Sequence, residues 1–253
     1  MPVELDGKIG SVRAVVIGAS AGLGRALAGV LAEAGHQLVI TSRDVTDLDA
    51  TAADLNLRTD GRVTAVPIDL RDFDPVEYRS RAIAELGGLD ALFVTAGYST
   101  QDDRGQVPDD LLQGIVGSNF TGVISLINAF LGDLRSNRAH LVATGSVAAV
   151  RARGSNSVYG ASKHGLEFYC EAVRHHLSDT QSTVCLYRLG YVKTNLNFGQ
   201  NLMFSAMEPA AAARQMVKGL GRRQGIVFLP KWWRLVGLAL KLVPWPLYRR
   251  LDF

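Results

Sequence analysis

Apolar residues along this chain fall into short β-branched runs, each followed by a longer stretch in which they recur every three or four positions. The runs Val12–Ile17, Leu38–Thr41, Val63–Ile68, Leu89–Thr95, His140–Thr144, Thr183–Leu189 and Ile226–Leu229 read as strands. Between them, Leu23–Ala34, Val45–Leu57, Pro75–Leu86, Leu111–Leu134, Tyr159–Leu177 and Ala210–Leu220 read as helices. Strands alternating with helices predict a parallel sheet, because each crossover must return over one face of it. Near-continuous apolar strands such as Val12-Arg13-Ala14-Val15-Val16-Ile17 agree, since central parallel strands are covered on both sides. The expected fold class is α/β, a doubly wound parallel sheet of about seven strands. No repeat or linker divides it, so one domain is expected over 1–230, with an appendage over 231–253.

Composition narrows the class. Hydrophobic residues are 47% of the chain and charged residues 20%, enough for a packed core and too little charge for disorder. The net charge of +3 creates no field of the kind that draws nucleic acid. The first residues carry Glu4, Asp6, Lys8 and Arg13 instead of the uncharged stretch of a signal peptide. No charge-free apolar window of roughly 18 residues predicts a spanning helix. Cys170 and Cys185 have neither disulfide-framework nor metal-ligand spacing, which suits a reduced cytoplasmic protein with no metal.

The first strand runs into Gly18-Ala19-Ser20-Ala21-Gly22-Leu23-Gly24, which opens a helix. Three glycines allow a sharp turn, close approach of a pyrophosphate and tight packing of helix on sheet. The helix start then offers free N–H groups and its positive dipole end to the anion. Strand, loop, helix and second strand in this order predict a Rossmann-type dinucleotide site. An NAD-selecting chain usually ends its second strand with a carboxylate for the ribose 2′-hydroxyl. This chain has Thr41-Ser42-Arg43. A 2′-phosphate could take a charge-assisted bond from Arg43 and a hydroxyl from Ser42, so NADP(H) is the expected cofactor. A surface arginine at the start of the next helix is the alternative.

Tyr159-Gly160-Ala161-Ser162-Lys163 begins the long helix, and residues four apart share one helical face. A cation beside a phenol lowers its pKa, which suits Tyr159 to give a proton in ketone reduction and to take one in alcohol oxidation. With the glycine loop upstream, this pair makes the chain resemble the short-chain dehydrogenase/reductase family over about residues 10 to 230. Asp69, with Leu70 beside it, stands where that family contacts the adenine amine. Thr95-Ala96-Gly97 stands at its Asn-Ala-Gly turn, and Asn119 and Ser146 match its catalytic Asn and Ser. Gly190-Tyr191-Val192-Lys193-Thr194 resembles its Pro-Gly-x-x-x-Thr segment at the nicotinamide.

The resemblance implies a catalytic tetrad of Asn119, Ser146, Tyr159 and Lys163 acting on a carbonyl substrate with NADPH. Ser146 would bond the carbonyl oxygen and Tyr159 would protonate it. Lys163 would hold the nicotinamide ribose and lower the tyrosine's pKa, while Asn119 holds a water that reprotonates the lysine. Gly18, Ser20, Gly22, Leu23, Gly24, Ser42, Arg43, Asp69, Leu70, Ala96, Gly97, Gly190, Val192 and Thr194 would bind the cofactor, together with Tyr159 and Lys163. The family also implies a homodimer or homotetramer through the helices at Leu111–Leu134 and Tyr159–Leu177. Two positions depart from its pattern: Thr95 replaces an Asn, and Leu189 replaces the Pro before Gly190. Elsewhere, His175 and His176 read as exposed groups at a helix end, and the two cysteines as core thiols. Arg151 and Arg153, just past Ser146, are either solvated or reach an anionic substrate.

The segment 231–253 holds all three tryptophans and five basic residues against one aspartate. A helix over Lys231–Val243 would be roughly 20 Å long, too short to span a bilayer. Arg234 and Lys241, seven apart, form a basic stripe on an otherwise apolar helix, as in-plane membrane helices have. The alternative is packing on a neighbouring subunit or on its own sheet. The tail and the loop from Tyr187 to Gly199 resemble family members that reduce lipid-linked substrates, such as a decaprenyl-phosphoryl 2-keto sugar or long-chain keto-lipids. That implies a cytoplasmic protein peripheral to the membrane, with Asn195–Glu208 as an apolar lid over the substrate. A small soluble ketone or aldehyde, with the tail as an oligomer element, is the alternative substrate. A non-catalytic NADP-binding redox sensor is the alternative from another class.

Overall fold

The computed structural model describes residues 11–136, 138–194 and 204–250. Its strands are β1 (Arg13–Ile17), β2 (Gln37–Thr41), β3 (Arg62–Ala65), β4 (Ala91–Val94), β5 (His140–Ser146), β6 (Val184–Leu189) and β7 (Gly225–Leu229). They form one sheet in the order β3-β2-β1-β4-β5-β6-β7, and every pairing is parallel. The order reverses between β1 and β4, where Ile17 pairs with Thr41 on one side and Val94 on the other. A crevice opens there at the carboxyl edge, where ligands of open α/β sheets bind.

Side-chain alternation within the strands builds two cores. Val12, Ala14 and Val16 face one way with Ile40, Phe93 and Tyr187, beneath α1 (Gly22–Glu33), α2 (Val45–Arg58) and α8 (Pro209–Lys218). Val15, Ile17, Leu92, Val94 and Leu141 face the other way. There they meet α3 (Pro75–Leu86), α5 (Gly122–Ala129) and α7 (Ser157–His176). Local chemistry sets the helix starts. The Asp44 and Asp74 carboxylates accept first-turn amides of α2 and α3, and Pro75 supplies the fixed φ suited to that position.

The mostly helical stretch expected over Leu111–Leu134 consists of α4 (Asp109–Val116), a π-helical turn at Gly117–Thr121, α5 and α6 (Leu131–Ser136). Gly122 follows the π turn, where a Cβ would lie 1.9 Å from the Leu70 carbonyl oxygen, so only glycine admits the backbone contact there. The run Asp109–Ala129 has the length and a mean hydropathy of 1.2 that would allow membrane crossing. Val123, Leu126 and Ile127 instead point into the core, fully buried. The third strand is shorter than predicted, although the Val66 and Ile68 amides still bond β2 and the residue after it. Strand β5 is longer and carries Ser146 at its end. The tail helix is α9 (Trp233–Leu242), followed by α10 (Trp245–Tyr248).

The deepest charge pair ties α7 to the sheet. The Arg188 guanidinium on β6 bonds both oxygens of Glu167 on α7, and both side chains are buried. Removing one partner strands the other charge in low dielectric. Arg188→Met is expected to destabilise the protein by about 3 to 5 kcal/mol, read as a lower urea midpoint. A midpoint equal to wild type would contradict this.

Candidate active site

The glycine loop sits at the crevice in a shape that only glycine permits. Gly18 has φ +90°, and a Cβ there would stand 2.7 Å from the Ala96 Cα. At Gly24 a Cβ would stand 2.0 Å from the Gly18 carbonyl oxygen, so α1 starts directly against the loop. The amides of Gly18 and Ala19 both donate to the Thr41 carbonyl at 2.7 and 3.0 Å, pinning the loop to the end of β2. No side chain caps α1, and its first turn carries no acid, so its amide donors and dipole face the crevice without a competing carboxylate. This cradle fits a pyrophosphate. Thr95 meets its departure from the family pattern by donating its hydroxyl to the Ile17 carbonyl at 2.7 Å, joining β4 to β1.

At the outer end of the cradle the Ser20 and Ser42 hydroxyls lie 2.7 Å apart, with Arg43 exposed beside them. No acid takes the place of Arg43 at the end of β2. Asp69 and Leu70 line the same cavity. The Asp69 carboxylate is paired with Arg71, whose Nε and Nη2 approach it at 3.0 and 2.5 Å and hold it below the usual carboxylate range.

The chemical end gathers residues from four elements. Ser146 ends β5, and its Oγ accepts the Ala148 amide at 3.1 Å. Tyr159 and Lys163 come from the first two turns of α7, and Lys163 is buried. Its Nζ donates to the carbonyls of Ala96 at 3.2 Å and Thr144 at 3.1 Å. Asn119 lies in the π turn, fully buried. Its Oδ1 accepts the Tyr98 amide at 2.7 Å, and its Nδ2 donates to the Tyr98 carbonyl at 2.8 Å. Its neighbour Ser118 lines the cavity, while the Asn119 amide clamps the loop after β4. Gly190, Val192 and Thr194 close the opposite wall, with Thr194 Cγ2 3.0 Å from the Cβ position of Gly22.

The spacing predicted a phenol lowered by Lys163. Instead, burial raises the Tyr159 pKa, and the groups that pull it back are the Ser146 hydroxyl and the charge of Arg153. Burial acts on Lys163 in the opposite sense and lowers it to about 8.

The tail is the largest surprise. Trp233, Val236, Gly237, Leu240 and Tyr248 line the same cavity as the glycine loop and Tyr159, a single space of about 1080 Å³. Of the occupants expected for the tail, its inner face takes its own domain. Trp233 fits because residue 190 is glycine, where a Cβ would lie 1.9 Å from the indole nitrogen. Arg151, which lines the cavity, ties the loop after Ser146 to the tail. Its Nη1 donates to the Leu240 and Val243 carbonyls at the end of α9, and its guanidinium stacks 3.8 Å over the Tyr248 ring. The Tyr248 hydroxyl donates to the Ala152 carbonyl at 2.9 Å. Trp232, Trp233, Phe204 and Tyr191 form one aromatic cluster beside this wall. Of the expected lid, Phe198, Leu202 and Met203 lie outside the described residues. Packing on its own domain was one of the alternatives for the tail; the seating of Trp233 on Gly190 depends on tertiary contact that no local pattern specifies.

Residues 13–203 match the short chain dehydrogenase family, and the chain belongs to it as an oxidoreductase. It is 33% identical over 244 residues to an uncharacterized oxidoreductase of Myxococcus xanthus, covering 93% of this chain and 94% of that one. It superposes with a TM-score of 0.77 on a short-chain dehydrogenase from Sphingobium yanoikuyae in complex with NADPH. That pair shares 26% identity over 90% of this chain and 94% of the other. An actinorhodin polyketide ketoreductase with NADPH shares the fold at TM-score 0.77 and 20% identity, over 87% of this chain and 95% of its own.

The Lys163 pKa has a consequence for stability. With a folded value near 8 against an ordinary 10.5, the unfolded chain binds more protons between those pH values. The cost of burying the ammonium is therefore complete below pH 8 and is relieved as pH rises above it. Unfolding free energy measured from pH 8 to 9.5 should climb more steeply in the wild type than in Lys163→Met. Parallel curves would show that Lys163 titrates elsewhere.

Proposed function

We propose that the protein is an NADPH-dependent carbonyl reductase acting on a lipid-linked keto sugar or keto-lipid, peripheral to the cytoplasmic face of a membrane. The observation that carries the reading is the single cavity shared by the glycine loop, Arg43, Ser146, Tyr159 and Lys163. NADPH held by the glycine loop and Arg43 would supply the hydride for the carbonyl carbon. Ser146, held at the end of β5, donates a hydrogen bond to the carbonyl oxygen. Tyr159, whose pKa burial raises, gives its phenolic proton to the developing alkoxide. Lys163, fixed on two backbone carbonyls, presents its ammonium to the ribose side of the cradle. Asn119 keeps the loop after β4 in register with that end through its paired bonds to Tyr98. Ser20, Ser42 and Arg43 form a donor-rich end suited to a 2′-phosphate, where the adjacent Asp44 is occupied in capping α2. The NADPH complex of the Sphingobium relative supports the same cofactor.

The substrate reading rests on α9. At 100° per residue, Trp233, Val236, Gly237 and Leu240 share the inner stripe, while Leu235, Leu238 and Leu242 share the outer one. The outer residues are 71%, 56% and 73% exposed, and Trp245 and Leu247 continue the patch. Arg234 and Lys241 flank it, and Lys231, Arg249 and Arg250 are exposed nearby. Apolar surface rimmed by cations suits an anionic bilayer. The same helix forms the cavity wall, so an acyl or prenyl chain leaving the site has a short apolar path to lipid. Phe168, 79% exposed on α7, supports a homo-oligomeric contact on that helix.

Three experiments test this. Tyr159→Phe should lower carbonyl reduction by on the order of 100-fold or more with NADPH affinity retained. In parallel, Arg43→Ala should weaken NADPH by about 10-fold or more and leave NADH unchanged. Full turnover of Tyr159→Phe, or equal affinity of the wild type for both nucleotides, would sink the assignment. For the membrane, truncation at Pro230 would strip the cavity wall, so the cleaner variant is Leu238→Glu with Leu242→Glu. The wild type should float with anionic liposomes and the double variant should stay behind, with NADPH binding equal in both. If neither floats, the bilayer reading fails and a soluble carbonyl becomes the expected substrate.

A further inference from the structure

The catalytic-end helix α7 lacks a cap of its own. Asn156 precedes it in a left-handed conformation, φ 54°, and its side chain makes no capping bond. The first-turn donors are satisfied from 54 to 56 residues upstream by one carboxylate, Asp103. Its Oδ1 accepts the Ser157 hydroxyl at 2.8 Å and the Val158 amide at 3.0 Å. Its Oδ2 accepts the amide of Tyr159 itself at 2.8 Å. The Asp103 carbonyl also accepts the Asn156 amide at 2.7 Å. Asp103 is fully buried, so these bonds are made without competition from bulk water. The anion lies at the positive end of a 20-residue helix, the favourable place for it.

The loop that carries Asp103 is part of the site. Tyr98, Ser99, Gln101 and Arg104 from the same loop line the cavity, and the Asn119 clamp fixes its start at Tyr98. The Ser99 hydroxyl reaches the Asn156 side chain at 3.3 Å, and Arg104 forms an isolated antiparallel bridge to Ser155. The loop therefore grips the start of α7 from one side while its residues face the substrate space on the other.

We infer that Asp103 is a positioning residue for the reaction: it fixes the Tyr159 backbone, and through it the phenol, against Ser146. This rests on the proposed role of Tyr159 as proton donor. Asparagine in place of Asp103 keeps one acceptor for Ser157 and Val158 but turns an N–H₂ group toward the Tyr159 amide. Alanine removes every bond. A graded outcome follows, because small misplacement of a reacting group costs on the order of 100-fold in rate.

The test compares wild type, Asp103→Asn, Asp103→Ala and Tyr159→Phe. Amide hydrogen exchange is followed over residues 156–160, NADPH affinity by fluorescence, and kcat and KM with 9,10-phenanthrenequinone as carbonyl probe. Asp103→Ala should lose exchange protection at Val158 and Tyr159 and drop in kcat by 10- to 100-fold, with NADPH affinity within twofold of wild type. Asp103→Asn should keep protection at Val158, lose it at Tyr159 and fall between the two in kcat. If Asp103→Ala proves too unstable to assay, the Asn variant carries the same comparison. Wild-type kcat in both variants, or unchanged protection at Tyr159, overturns the inference; exchange decides it alone if the quinone is not turned over. Should Tyr159→Phe keep full turnover while the exchange results hold, the proton-donor reading fails and the anchoring of the helix start stands.

Discussion

Parallel pairing across all seven strands is the constraint from which the site follows. A ladder running one way sends every carboxyl end to the same edge, and each crossover must come back over a face before the next strand begins. Gly18, Ser42, Thr95, Ser146 and Gly190, all just past or at strand ends, are therefore collected at one rim although they span much of the sequence. Helices leaving that rim start there, so the uncapped start of α1 and the start of α7, capped by Asp103, both lie at the crevice. Had one strand of the β1, β4 and β5 trio been antiparallel, its loop would have gone to the opposite edge and the cluster would not exist.

Collecting polar groups at the edge of an apolar sandwich brings burial, and burial demands partners. Lys163 meets two carbonyls, Asn119 the backbone N–H and C=O of Tyr98, Glu167 a guanidinium and Asp103 a helix start. Among the described residues, no buried side-chain nitrogen or oxygen is left without a hydrogen-bond partner. Helix α7 is consequently held at its first turn, its second turn and its third, by Asp103, by the Lys163 bonds and by the Glu167–Arg188 pair. Tyr159 sits between the first two of these restraints. Low dielectric around the same groups moves the phenol up and the ammonium down, away from the values a solvated pair would have.

The tail follows the same logic on a different surface. An apolar helix with a single apolar stripe needs one partner; α9 has two such stripes on opposite sides. The inner stripe is covered by the protein's own loops, with Arg151 binding the terminal carbonyls that a helix leaves unsatisfied. The outer stripe, Leu235, Leu238 and Leu242, is exposed. The cavity wall and the exposed apolar stripe thus belong to one element.

Sequence periodicity determined the order and type of the elements, because alternation of period two and recurrence of period 3.6 are local properties. It also determined the glycine cradle, since Gly18 and Gly24 stand where no Cβ fits. The same was true of the spacing of Tyr159 and Lys163, which one helical turn brings to a common face. What only the tertiary structure decided are contacts between distant parts of the chain. No local pattern predicts that Asp103 caps a helix starting at Ser157, that Arg151 binds Leu240 and Val243, or that Trp233 rests on Gly190. The direction of the Tyr159 shift was also out of reach, because spacing reveals which charge is near but not how much water has been removed. Residue spacing along one element is legible in sequence; which surfaces meet, and how dry the meeting place is, depends on the packing of the whole.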